Sequence, residues 1–190
     1  GTGAFDYAVV SGDCTLAGDV LSSGSVGDCV VKARRLASIN YLDSSWSSNV
    51  TVAVTAKPIT LTVSPVDRQW NGGTTVALSA TTTSNLTGIV AGDTVTVDNS
   101  QLAASVATAA VGATKAVTVV VSAGYLGGVD AANYQTPTIA GSPTVNITRA
   151  NQSALSFTSA TNMIFGQSIT LTSSGGSGTG ATTYSVVSGS

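Results

Sequence analysis

The 190-residue chain has no histidine and no glutamate, and charged residues make up only 8% of it. A Ser-His-Asp triad cannot be assembled from such a chain. Paired-carboxylate chemistry would have to come from its nine aspartates. Asp13, Asp28 and Asp93 each follow a glycine in turn-like stretches, where the side chain bonds its own backbone. Asp13, Asp19 and Asp28 gather around one hairpin, but their spacing matches no calcium loop. The expectation is therefore no catalytic residue, no metal, no cofactor and no enzyme. Basic residues are equally sparse. Their one cluster, Lys32-Ala33-Arg34-Arg35, ends a strand-like run and reads as a solvated face, so no nucleic-acid partner is expected. No apolar run approaches the ~18 residues of a membrane-crossing helix, and no charged start with an apolar segment marks a signal peptide. No membrane insertion is expected in this segment. Aromatics are 5% of the chain.

Cysteine is reduced to Cys14 and Cys29, too few for a zinc site without histidine. Each follows Gly-Asp in "GDCTLAGDVLSSGSVGDCVV", with a Gly/Ser-rich turn between them. Two strands folding back across that turn set the cysteines side by side, within the roughly 7 Å between Cα atoms that a disulfide requires. Closing a loop of ~15 residues contributes roughly 3 kcal/mol in the chain-entropy account. A disulfide implies an oxidising compartment. Two buried free thiols are the other reading.

Val, Thr, Ser, Ala and Gly fill the space that charge leaves. "NVTVAVTA" alternates Val50, Val52 and Val54 with Thr51, Ala53 and Thr55. "ITLTVS" sets Ile59, Leu61 and Val63 against Thr60, Thr62 and Ser64. "DTVTVD", "KAVTVVVS" and "SITLTS" repeat the pattern. Apolar/Thr alternation marks antiparallel strands with one face buried and one wet. Turn signals such as Asn71-Gly72-Gly73, Ala91-Gly92-Asp93 and Gly127-Gly128 separate the runs. Strands recurring at this spacing predict β-sandwiches. The stretch "QLAASVATAAVGA" is Ala-rich, yet its Ser, Thr and Val content predicts irregular or strand-like backbone.

The two ends share words. "GTGAFDYAVVSG" opens the chain and "GTGATTYSVVSG" nearly closes it, an ungapped match at an offset of 177 residues. Internal repetition of this kind is the signature of repeat architectures. Two joints divide the chain: Lys57-Pro58, where proline blocks ladder donation, and the polar run Arg149-Ala150-Asn151-Gln152. Residues 57–148 then form one unit. Residues 1–56 read as the C-terminal part of a sandwich and residues 149–190 as the N-terminal part of the next. The predicted fold is all-β, antiparallel β-sandwiches in tandem with a two-domain period.

At these residues two resemblances appear. "NQSALSFTSATNMIFGQSITLTSSGGSGTGATTYSVVSG", joined to "GDCTLAGDVLSSGSVGDCVVKARRLASINYLDSSWSSNVTVAVT", resembles a bacterial immunoglobulin-like repeat of large surface proteins. The middle unit resembles the YDG (or MBG) repeats of haemagglutinin-like adhesins, through "AGDTVTVD", "GVDAANYQ" and the start "RQWNGGTT". In that start Trp70 and Asn71 stand where Tyr and Asp are usual, with one glycine extra. Both resemblances imply extracellular stalk or spacer modules without catalytic apparatus, partnered by neighbouring repeats or by copies of themselves end to end. The alternative is a glycan- or surface-binding module. For it the candidate ligand residues are Tyr41 and Trp46, which share the loop-like "NYLDSSWSS". The bland reading is that large aromatics close the ends of a core.

Overall fold

The computed structural model describes residues 2–188. Gly1 and Gly189, the outermost letters of the two matching stretches, lie outside the described residues, as does Ser190. The N-terminal segment holds β1 (Phe5–Ser11), β2 (Cys14–Ala17), β3 (Val20–Ser23), β4 (Gly27–Arg35) and β5 (Val50–Val54). An antiparallel sheet is ordered β1-β4-β5. Phe5 faces Arg35 and Val9 faces Val31, after which β1 slips by one residue so that Ser11 meets Val30. On the other side of β4, Val31 faces Val50 and Gly27 faces Val54. β2 and β3 close tightly over Gly18-Asp19 and hang between β1 and β4. Gly12 makes that corner possible. Its φ is +104°, and a Cβ there would lie 2.3 Å from the Asp28 carbonyl oxygen, so only glycine lets the chain cross β4 this closely.

The middle segment holds β6 (Thr60–Leu61), β7 (Arg68–Gln69), β8 (Leu86–Thr87), β9 (Thr96–Val97), β10 (Leu102–Val106), β11 (Gly112–Val121), β12 (Leu126–Gly127), β13 (Thr138–Ile139) and β14 (Thr144–Thr148). One sheet is ordered β10-β11-β14-β7, a second β13-β6-β8, and β12 pairs β9. The Val/Thr alternation predicts the burial residue by residue. Ile59, Leu61 and Val63 are buried, while Thr60, Thr62 and Ser64 are exposed. One apolar cluster joins Ile59, Leu61, Val63, Leu86, Val95, Tyr125 and Tyr134. The other joins Val76, Ala104, Val106, Val117, Val145 and Ile147, and Leu78 and Val119 touch both. Burying each such aliphatic side chain stabilises by about 1.5–3 kcal/mol. Among the described residues, every buried apolar side chain except Cys29 belongs to this segment.

Antiparallel pairing throughout is corrected at two places. β13 runs parallel to β6, with Thr138 against Thr60 and Ile139 against Leu61. β14 runs parallel to β7, with Ile147 against Arg68 and Thr148 against Gln69. Parallel partners need a long connection, and here almost the whole unit supplies it. The same side-by-side course begins at the Lys57–Tyr134 bridge. It continues through the hydrogen bonds from Gln135 N to Lys57 O and from Ala140 N to Leu61 O, and ends where Trp70 N donates to Thr148 O. The opening and closing stretches of the unit therefore run together in one direction. The chain enters at one end of this pairing and leaves at the other.

In the C-terminal segment β15 (Leu155–Phe157) pairs antiparallel with β16 (Ser173–Gly175). The strand expected at "SITLTS" is not formed there. Only Ser173 enters a ladder, and Leu171 is exposed. Alternation without an apolar surface to cover does not make a strand. Residues 182–188, the sequence counterpart of β1, are likewise outside any ladder.

Candidate functional site

Two of the three pieces of sequence that carry the middle unit's resemblance meet in space. Thr94 N donates to Asp130 Oδ2 at 2.7 Å. The Tyr134 hydroxyl donates to Asp93 Oδ2 and accepts from Val90 N at 2.9 Å. "AGDTVTVD" and "GVDAANYQ" are thus two sides of one clamp over the end of the core. Gly128 permits the approach. At φ +97°, a Cβ would stand 2.4 Å from the Thr94 carbonyl oxygen. Burial, with the Asp93 hydrogen bond next, holds the Tyr134 phenol above its usual 10.0. The ring therefore stays a proton donor across the neutral range.

The same motif reaches back to the preceding segment. Asn133 Oδ1 accepts from Val26 N at 3.0 Å, and its carbonyl accepts from Lys57 N. Gln135 Nε2 donates to Ala56 O at 3.1 Å. A groove of about 240 Å³ lies along this joint, lined by Val26, Val54, Lys57, Val90, Asp93 and Tyr134. At the far end of the unit, Asp67 accepts from Asn146 N at 2.7 Å and from Asn146 Nδ2 at 2.8 Å. These bonds, the backbone one first, hold its carboxyl below the usual 3.8. Arg68 fastens the Trp70-Asn71-Gly72-Gly73 turn by donating to Asn71 Oδ1 and to the Gly73 carbonyl.

Cys14 and Cys29 are bonded, with Cα atoms 6.1 Å apart. The bond ties the start of β2 to β4 near its N-terminal end. Tyr41 and Trp46 do not come together. The aromatic pairs among the described residues are Phe5–Tyr7 and Phe157–Tyr184. Tyr41 is largely exposed and closes a small loop through paired bonds with Ser38. Trp46 is half-buried on the outer face of β4, with Lys32 Nζ 4.8 Å and Arg34 Cζ 4.7 Å from its ring centre. Arg34 in turn bonds Asp6 at 2.8 Å and reaches Asp43 at 3.2 Å. The expected solvated face is thus corrected: Lys32 and Arg34 are half-buried with an aromatic laid on them, while Arg35 lies on the other side of β4, its Cζ 4.7 Å from the Phe5 ring centre. The occupied Trp46 ring is a poor platform for a sugar.

Sequence reasoning missed how this segment is held. Ser44 and Ser47 bond Arg35 and Ala33 with both main chain and hydroxyl, standing in for the ladder that β5 leaves unmade. It also missed the buried network in which Asn99 brackets Thr81, whose hydroxyl meets the Tyr125 hydroxyl at 2.7 Å. Serines and threonines are so frequent here that neither set stands out in the sequence. Taken together, these groups clamp, staple and join.

The family described as the YDG domain matches residues 55–144, a stretch that contains both halves of the clamp. Neither a curated protein nor a solved structure matches the chain.

Proposed function

We propose that the YDG domain at residues 55–144, with the segments flanking it, is a non-catalytic structural repeat. It belongs to the stalk of a large extracellular bacterial adhesin or to a surface filament. In this reading residues 1–56 and 149–190 are parts of immunoglobulin-like sandwiches that alternate with the YDG domain, at a two-domain period of 177 residues. The partners are neighbouring copies of the repeat.

The observation that carries the reading is the parallel course of the domain's first and last stretches. Because the chain enters and leaves at opposite ends of that pairing, tension along the chain pulls the two stretches past each other. All of their cross-bonds are then loaded together, not opened one after another. The Tyr134–Asp93 clamp and the Asp67–Asn146 bonds close the two ends of the loaded region. Asn133 and Gln135 limit bending at the joint before it. The bond between Cys14 and Cys29 suits an oxidising exterior.

The test is to extend single molecules from their two ends. The expected trace has one pronounced force peak for each YDG domain. A smooth yield with no such peak would remove the mechanical reading. Selective capture of a glycan that is lost in Tyr41→Ala would put the binding module in its place.

A further inference from the structure

One side of the N-terminal sheet is largely apolar and only partly covered: Cys29 lies on it, buried beside its bond to Cys14, and Arg35 Cζ stands 4.7 Å from the Phe5 ring centre. The pairing of β1, β4 and β5 sets Phe5, Tyr7, Val9, Val31, Val50, Val52 and Val54 on a single face. Phe5, Tyr7, Val50 and Val52 are exposed there. A contiguous apolar face of this kind marks an interaction surface. The opposite face, by contrast, carries Asp6, Lys32 and Arg34 under Trp46.

The C-terminal segment shows what fits on such a face. Phe157 of β15 packs on Tyr184 with ring centres 5.7 Å apart. The Tyr184 hydroxyl meets Ser173 Oγ, on the strand paired with β15, at 3.0 Å. Tyr184 is the sequence counterpart of Tyr7 at the 177-residue offset. The β15–β16 hairpin therefore sets Phe157 and Ser173 against Tyr184, whereas the equally exposed Tyr7 has only Phe5 of its own strand as an aromatic neighbour.

We propose that the open face of the N-terminal sheet is covered by residues 150–177 of a second copy of this repeat, with Phe157 of that copy against Tyr7 and its Ser173 at the Tyr7 hydroxyl. The inference rests on the structural-repeat reading and names its partner. Two half-sandwiches, each only partly covered, become one sandwich whose inner faces stand about 10 Å apart, with Tyr7 taking the place of that copy's own Tyr184. The repeated words at the two ends are the register mark for that union. Copies joined this way meet head to tail, and a heterologous contact of this type continues into a filament.

The test mixes two full chains, one carrying Tyr7→Cys and the other Phe157→Cys, with a thiol-to-thiol linker of about 10 Å, the spacing of facing sheets. The control pairs Tyr7→Cys with Val129→Cys, an exposed site on the middle unit. The expected result is roughly tenfold more linked product than in the control, because a fixed contact raises effective concentration far above random collision. Equal yields overturn the proposal. Since the substitutions remove part of the contact, the unaltered chain is followed as well. Amide exchange in β1 should slow as chain concentration rises, while exchange in the middle unit stays constant. Unchanged β1 exchange in a chain that scatters light as a monomer also overturns it. The force peak of the YDG domain does not depend on this contact, so its persistence separates failure of the docking from failure of the stalk reading.

Discussion

Residues 7–11 and 184–188 share tyrosine, two valines and serine at the same spacing, yet only the first stretch is a strand. Tyr7 and Val9 lie opposite Ala33 and Val31 in an antiparallel ladder. Val186 and Val187 have no ladder and are 89% and 95% exposed. The same contrast separates Ile59-Thr60-Leu61 from Ile169-Thr170-Leu171. One set lines a core and the other stands clear of it. Local preference is equal within each pair, so the difference is made by what lies across from it. β-propensity measures the fit to a half-buried, paired surface and not a property of the segment alone.

The largest test of that lesson compares Leu61→Ala with Leu171→Ala. The first removes a fully buried side chain and should cost about 2–5 kcal/mol in denaturant unfolding. The second should stay within about 0.5 kcal/mol. Similar losses would break the contrast. Next, reducing the Cys14–Cys29 bond should remove roughly 3 kcal/mol from the N-terminal sheet, which would move β1 toward the state of its counterpart. Amide exchange should then quicken across β1 to β5 and leave β10, β11 and β14 unchanged. Tyr134→Phe deletes the donor to Asp93 and the acceptor for Val90 N, at about 1–3 kcal/mol for the polar group left unpaired. Its loss should appear in the middle unit's melting temperature.

The smallest effect is a pH dependence. The Asp67 carboxyl is held below 3.8 in the fold by Asn146. Its stabilisation is complete above the unfolded value and is lost as pH falls through the folded one. The Asn146 amide should therefore lose exchange protection only in acid below pH 3.8. Asp67→Asn should flatten that profile, and an unchanged acid limb in the variant would assign it to another group.

Much of the middle unit was legible. Alternation placed Ile59, Leu61, Val63, Val95 and Val117 inside, and "QLAASVATAAVGA", read as irregular or strand-like, holds β10 followed by an irregular stretch. What stayed hidden was the non-local part. β6, β7 and β13 are two residues each, too short for any period to register. Their parallel partners lie more than seventy residues away, where no local signal reaches. At the candidate site, the pairing of Cys14 with Cys29 followed from a hairpin and its turn. The fate of Trp46 did not, because the side chains over its ring belong to a strand on the far side of a long loop. Asn133 sat within a motif that was read, but its bond to Val26 joins segments the sequence had divided.

The bonded cysteines also change the arithmetic of extension. The two residues are separated by 15 positions, a stretch that would span about 50 Å if drawn out at 3.3–3.6 Å per residue. Pulled from its ends, the chain cannot release that contour through the N-terminal segment while the sulfur bridge holds. The hairpin is slack kept in reserve, and its release is set by a reductant and not by load.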